Sequence, residues 1–207
     1  MSDKRVLVFG DSIAYGAWDT QGGWVDRLKR AAHQQTLESE GQTKVQIINL
    51  GIGGDSSTKI LARLESEITA RYSASWSFIL VFSFNANDER TRNAVPETPL
   101  DQFNRNTQTI IDIAKKHSDK ILFVGTTPTR EPEVSLKDAK YSDERIVEYE
   151  AAQKAIVEAA GITFVDVRET FESADENVFS YDKIHLNDAG HTLLADLVKP
   201  KLEELTE

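Results

Sequence analysis

Five short apolar runs, residues 5–9, 45–50, 77–82, 121–124 and 162–165, punctuate the chain, with helically spaced stretches between them. Each run is rich in β-branched or aromatic residues and stops at a glycine or a polar loop, as a buried strand does. The third, Ser77-Phe78-Ile79-Leu80-Val81-Phe82, is almost wholly apolar, which suits a central parallel strand buried on both faces. Strands that alternate with helices in this way predict a parallel sheet covered on both sides.

The intervening stretches carry their own punctuation. Trp24, Val25, Leu28, Ala31 and Ala32 share one helical face, and Gly41 ends that region. Ile60, Leu61, Leu64 and Ile68 form a second stripe, with a Ser or Asp of the preceding loop as its cap. Thr98 is expected to cap the next helix and Pro99 to open it, with Leu100, Phe103, Ile110, Ile111 and Ala114 inward. A proline-bearing loop over 126–141 precedes a helix over 142–160, which Gly161 ends. Asn187 caps a last helix carrying Leu193, Leu194, Leu197, Val198 and Leu202. Right-handed crossovers leave few topologies for such a chain. The expected fold is an α/β, flavodoxin-like three-layer sandwich, its five-stranded parallel sheet ordered 2-1-3-4-5.

Composition limits what the fold can serve. At 207 residues, with no shift in composition to mark a linker, 1–207 reads as a single domain. A net charge of −10 argues against a nucleic-acid partner. With no cysteine, disulfides, thiolate metal sites and a cysteine nucleophile are excluded. No run approaches the roughly 20 apolar residues that span a bilayer, and the first run is too short for a signal peptide, so a cytoplasmic protein without a membrane partner is expected.

Four polar clusters follow strand ends or open the last helix: Asp11-Ser12, Gly53-Gly54-Asp55, Asn85-Ala86-Asn87-Asp88, and Asp182 with His185. A parallel sheet of the expected order brings them to one carboxyl edge, where open α/β sheets hold their ligands. Their chemistry suits acyl transfer. A serine hydroxyl needs an adjacent base, and histidine, which titrates near neutrality, is suited to that task. Asp182, three residues before His185, is placed to hold the imidazole tautomer. Backbone N–H groups of Ser12 and Gly54 and the side-chain amide of Asn87 would face the oxyanion. A donor at Gly54 needs close backbone approach, which a side chain would block.

These blocks resemble the SGNH hydrolases, also called the GDSL esterase/lipase family, in order and spacing across nearly the whole chain. Gly10-Asp11-Ser12-Ile13 stands for the first block, the stretch from Asn49 to Asp55 for the second, Asn85-Ala86-Asn87-Asp88 for the third, and Asp182-Lys183-Ile184-His185 for the last. The resemblance implies a serine esterase that hydrolyses small carboxylic esters through a covalent acyl-enzyme. It assigns Ser12, Asp182 and His185 to catalysis and Ser12, Gly54 and Asn87 to the oxyanion hole, with a small-molecule ester as substrate and neither cofactor nor metal. A thioesterase or a carbohydrate deacetylase would use the same residues.

Asn85 departs from the family pattern, which has glycine there. A position needing φ > 0 would accept asparagine most readily, but its side chain would crowd the oxyanion hole or add a polar group to it. A non-catalytic binding domain is the alternative if Asn85 blocks that hole. Phe84 beside it is expected to narrow the pocket. Asp11, Trp18, Asp55 and Asp88 are expected to support the site or line it. Two further alternatives are weaker. Asp182, His185, Asp188 and His191 could form a metal site only if two helical residues turn back toward the loop. The stretch 51–54 lacks the spacing and the lysine of a nucleotide-binding loop.

Overall fold

The computed structural model describes residues 3–174 and 176–206. Met1, Ser2, Asp175 and Glu207, which fall within the expected 1–207 domain, lie outside the described residues. The first run forms β1 (Asp3–Gly10), which passes at once into a single-turn helix, α1 (Ser12–Tyr15). Then come α2 (Gly23–Glu38), β2 (Val45–Gly51), α3 (Ser57–Ala70) and β3 (Trp76–Ser83). A second single-turn helix, α4 (Ala86–Glu89), leads through β4 (Thr91–Arg92) and β5 (Val95–Pro96) to α5 (Leu100–His117). The second half runs β6 (Ile121–Val124), β7 (Glu133–Leu136), β8 (Ala139–Ser142), α6 (Asp143–Ala159), β9 (Thr163–Val165), α7 (Arg168–Ser173) and α8 (Asp188–Thr206).

The main sheet has the order β2-β1-β3-β6-β9, and each neighbouring pair is parallel. In terms of the five apolar runs this is the expected 2-1-3-4-5. Alternation within each strand feeds two separate cores. Val6, Val8, Ile79, Val81 and Leu122 pack under α2 and α8, with Trp24, Leu28, Leu194 and Val198. Leu7, Phe9, Leu80, Phe82 and Phe123 face α3, α5 and α6, with Leu64, Phe103, Ile110 and Val157. On that second face, Phe9, Phe82 and Phe123 lie ring against ring across three strands, with centroids 5.5 and 4.9 Å apart. Each fully buried side chain of this size contributes roughly 1.5–3 kcal/mol, so the sheet is a rigid platform.

The register levels the strand ends. Gly10 pairs with Gly51 on one side and with Ser83 on the other, so three chain segments leave the sheet on the same rung. Gly10 is a glycine because a Cβ there would meet the Ala14 Cβ and the Ser83 carbonyl oxygen, each at 2.5 Å.

The stretch 126–141 differs from expectation. It is not only a loop: β7 and β8 form a hairpin in a second, antiparallel sheet of order β5-β4-β8-β7. Its turn has Lys137 at φ +56 and no glycine, so the usual hairpin signature is missing. The caps differ as well. Pro99, not Thr98, is the capping position of α5. Ser56 precedes α3 without a side-chain cap bond, and the Asp88 carboxylate takes the Ser57 N–H at 2.9 Å instead. Gly161 has φ +73 at the end of α6, as its position predicts. Among the described residues, no helix is long and apolar enough to cross a membrane.

Candidate active site

Ser12 opens α1 two residues beyond the rung shared by β1, β2 and β3. Asp11 caps that turn by accepting the Ile13 N–H at 2.9 Å. Asn49, near the end of β2, donates its side-chain amide to the Ala14 carbonyl at 2.8 Å and so ties the turn to the sheet. The serine side chain is therefore carried on a turn fixed at both ends.

Across the cleft, the loop before α8 returns to this edge. His185 Nε2 lies 2.8 Å from Ser12 Oγ, and His185 Nδ1 lies 2.6 Å from Asp182 Oδ2. Asp182 is held by its own loop: Oδ1 accepts the backbone N–H groups of Ile184 and His185 at 3.2 and 3.0 Å. Burial raises the pKa of this carboxyl, but the hydrogen bonds from His185 outweigh burial and hold it at about 2. Asp182 is thus an anion at any working pH, and its bond to Nδ1 fixes the tautomer that leaves Nε2 free to accept.

Trp18 is part of this chain of contacts. Its indole Nε1–H donates to Asp182 Oδ2 at 2.8 Å, the same oxygen that faces His185. The ring meets His185 edge-on, with centroids 5.9 Å apart, and Tyr181 packs beside it at 6.0 Å. Even so, Trp18 is 58% exposed and Tyr181 79%, so the two rings form an open aromatic rim. Trp18 sits at φ +68, an uncommon backbone for a bulky residue. Asp19 holds that conformation by accepting the N–H groups of Gln21 and Gly23 and pairing with Arg27. Arg27 in turn reaches Asp188 Oδ1 at 2.6 Å, joining the loop to the start of α8.

The third side of the cleft comes from the loops after β2 and β3. Gly54 adopts φ +81, and a Cβ there would touch nothing nearer than Arg90 at 3.7 Å. The left-handed backbone is a conformational reason for glycine here, separate from the close approach of a substrate expected from the sequence. At Gly53 a Cβ would lie 4.0 Å from the Ser12 Cβ, so this loop passes directly beside Ser12. Asn87 donates from Nδ2 to Asp11 Oδ2 at 3.1 Å, while its Oδ1 accepts from Arg90 at 2.7 Å and from the Tyr141 hydroxyl at 3.2 Å. Burial pushes the Asp11 carboxyl up to about 6, against the Ile13 hydrogen bond that lowers it.

The remaining expected residues sort differently. Asp55 pairs with Arg63 at 2.9 Å, and Arg63 also binds the Leu50 carbonyl at the end of β2. Asp88 is fully buried, accepting from the N–H and hydroxyl of Ser57, and burial raises its pKa to about 6 despite those bonds. Both acids anchor α3 and do not line the cleft. Phe84 is among the residues that border a small recess beside Asp11, while its ring packs edge-on against Phe103 and Phe123 in the core. Asn85 is not left-handed: its φ of 172 is extended, so no glycine-like backbone is needed. Its buried side chain borders a small recess of about 30 Å³ with Asp11, Ile13, Thr127 and Ile184. The four residues of the metal alternative do not converge, because Asp188 pairs with Arg27 and His191 is buried beneath Gly23.

Arg90, Tyr141, Asp19 and Arg27 were not singled out from the sequence. Only Arg90 had a signal there: it follows Asn87 by three residues, a spacing that puts two side chains on one face of a helical turn.

The sequence profile described as GDSL-like Lipase/Acylhydrolase family matches residues 8–193. The chain belongs to this family. Among solved structures, a lipase/acylhydrolase from Enterococcus faecalis superposes with a TM-score of 0.75 at 21% identity, covering 97% of this chain and 96% of that one. A member of the lipolytic G-D-S-L family from Veillonella parvula gives 0.74 at 18%, over 95% and 97% of the two chains. An acetylxylan esterase from Geobacillus stearothermophilus gives 0.72 at 19%, over 99% and 94%. These likenesses establish the α/β fold shared with GDSL proteins. A comparison with curated proteins finds no match.

Proposed function

We propose that the chain is a serine esterase that cleaves small carboxylic esters through a covalent acyl-enzyme. The observation that carries this reading is the unbroken chain from Ser12 Oγ through the His185 ring to Asp182, at 2.8 and 2.6 Å. Family membership supports ester hydrolysis as the reaction class.

In this mechanism Ser12 Oγ attacks the ester carbonyl carbon and its proton passes to His185 Nε2. Asp182, held as an anion, stabilises the imidazolium that forms. The carbonyl oxygen becomes an oxyanion facing the N–H groups of Ser12 and Gly54 and one N–H of the Asn87 amide. When the intermediate collapses, the carbon–oxygen bond to the leaving group breaks and His185 returns the proton to the departing alcohol. A water, deprotonated by the same ring, then attacks the acyl-enzyme, releases the acid and restores Ser12. None of these steps calls for a cofactor.

A second reading names the ester as an acetylated sugar, with a sugar hydroxyl as the departing alcohol. The exposed Trp18 and Tyr181 rings beside His185 favour it, since flat rings at a wet rim suit a sugar face. It uses the same residues and differs in the leaving group alone.

Hydrolysis of p-nitrophenyl acetate, of p-nitrophenyl octanoate and of an acetylated xyloside tests both readings. Wild type is expected to prefer acetate, and Ser12→Ala to lose at least about 10³-fold in kcat/KM. Activity that survives Ser12→Ala would sink the mechanism. Indifference to the sugar would sink the second reading alone.

A further inference from the structure

Asn87 and Gly54 stand on different loops, yet one buried side chain touches both. Arg90 Nη1 donates to Asn87 Oδ1 at 2.7 Å, and Nη2 reaches the Gly54 carbonyl oxygen at 3.4 Å. Glu97 accompanies the outer side of the guanidinium at 3.5 Å, and the Tyr141 hydroxyl oxygen lies 3.4 Å from Nη1. Arg90 itself is 7% exposed, so these bonds form away from bulk water.

This arrangement leaves the Asn87 amide one orientation. A guanidinium offers donors only, so the amide oxygen must face Arg90. An ionised Asp11 offers acceptors only, so the NH₂ end must face Asp11, the neighbour of Ser12. One amide hydrogen is spent on Asp11 and the other is left to point elsewhere. A positive charge on the amide oxygen also polarises the group and strengthens its N–H as a donor.

The geometry points to Arg90 as the positioning residue of the oxyanion hole: its fork holds Asn87 and Gly54 in register so that their N–H groups meet the carbonyl attacked by Ser12. The inference rests on the acyl-transfer reading above. Arg90 touches no reacting atom and acts only through the two donors. Losing one oxyanion donor outright costs about 10²–10³ in kcat, and loosening donors that remain present costs less. Lysine cannot replace the fork, since a single ammonium is a point donor and cannot serve two acceptors in a plane.

A double-mutant cycle on p-nitrophenyl acetate tests this, using wild type, Arg90→Met, Asn87→Ala and the double variant, with Ser12→Ala alongside. Arg90→Met is expected to lower kcat by roughly 10- to 100-fold and to change KM by less than about threefold. In the Asn87→Ala background the same substitution should cost less than half as much on a logarithmic scale, because its main route of action is already gone. Losses that multiply, or a loss carried by KM, would overturn the proposal. If Arg90→Met does not fold, the cycle is run with Arg90→Lys, which keeps the charge but lacks the fork, and the same non-additivity is required. If Ser12→Ala keeps full activity, the acyl-transfer reading and the role of Arg90 fall together. If Ser12→Ala behaves as expected and the cycle is additive, only the role of Arg90 falls.

Discussion

Trp18 shows how one side chain can belong to the site by two different atoms. Its ring is offered to solvent, while its N–H is committed to the aspartate that orients His185. Trp18→Phe separates the two: the ring surface stays and the hydrogen bond to Asp182 goes. A hydrogen bond to a buried carboxylate is worth about 1.5 kcal/mol, and the Asp182 side chain is only 3% exposed, so kcat/KM should fall roughly tenfold for every ester, large or small. An effect confined to bulky alcohols would mean that the ring alone matters. Asn85 invites the complementary change. Asn85→Gly removes a buried amide that borders the recess beside Asp11 and Ile184, and it is expected to raise the rate on butyrate relative to acetate. An unchanged chain-length profile would place the acyl group elsewhere. At this scale the sequence was most legible in the triad of side chains that the fold brings together. Ser12, Asp182 and His185 could be named because their types and spacing matched, and they meet in one hydrogen-bonded chain. For Asp55 and Asp88 the sequence left open whether they support the site or line it, and their side chains turn toward α3, while the Phe84 ring turns into the core.

Between the elements, charge and capping do what apolar periodicity does within them. Arg27 on α2 joins the Trp18 loop to the first turn of α8 through Asp19 and Asp188, and Asp19 is fully buried at its side chain. Burial disfavours that carboxylate, and the Arg27 hydrogen bond with the Gln21 and Gly23 N–H groups overcomes it, lowering the pKa to about 2. Arg27→Ala strands the buried acid, and a loss of about 3 kcal/mol in unfolding free energy is expected from urea titration. A drop of less than 1 kcal/mol would show that the loop is held by its backbone bonds. Helix and strand positions were readable because their apolar spacing is local. The hairpin of β7 and β8 was not, because each strand has only four residues and the turn lacks glycine. The cap on α3 was equally hidden: its acceptor, Asp88, lies 31 residues away in sequence.

For the molecule as a whole, buried ionisable groups set the response to acid. His191 is fully buried under α2, and burial, only partly offset by the nearby Asp19 charge, lowers its pKa from 6.5 to about 4. The unfolded chain takes up this proton near pH 6.5 and the native chain only near pH 4. The contribution of His191 is therefore complete above pH 6.5 and is lost as pH falls toward 4, about 3 kcal/mol in all. Asp11 and Asp88, both raised to about 6, act in the opposite sense and lose stability as pH rises through that range. Comparison with His191→Leu isolates the histidine: relative to wild type, the variant should gain about 3 kcal/mol between pH 7 and pH 4 in denaturant titrations. A constant difference would show that His191 takes up its proton at the same pH in the native and unfolded chains. Alternation of strands and helices is displayed by a single sequence. The general right-handedness of crossovers then leaves few sheet orders, among them the observed 2-1-3-4-5. The acid response is not displayed in this way, since it depends on how deeply each group is buried.

The interior position of β1 has a consequence for how such a molecule is made. The strand that leads into Ser12 leaves the ribosome early, yet the ring that faces the Ser12 hydroxyl belongs to a residue 173 positions later. Throughout most of its synthesis the chain holds Ser12 without the facing imidazole, although β1 can meet its neighbours β2 and β3 once residue 83 is made. Contacts of such separation slow folding and leave apolar edges open meanwhile. A nascent chain stalled before residue 182 should therefore be inert toward esters and fluorophosphonates, and the hydroxyl should become reactive only once the last loop has emerged.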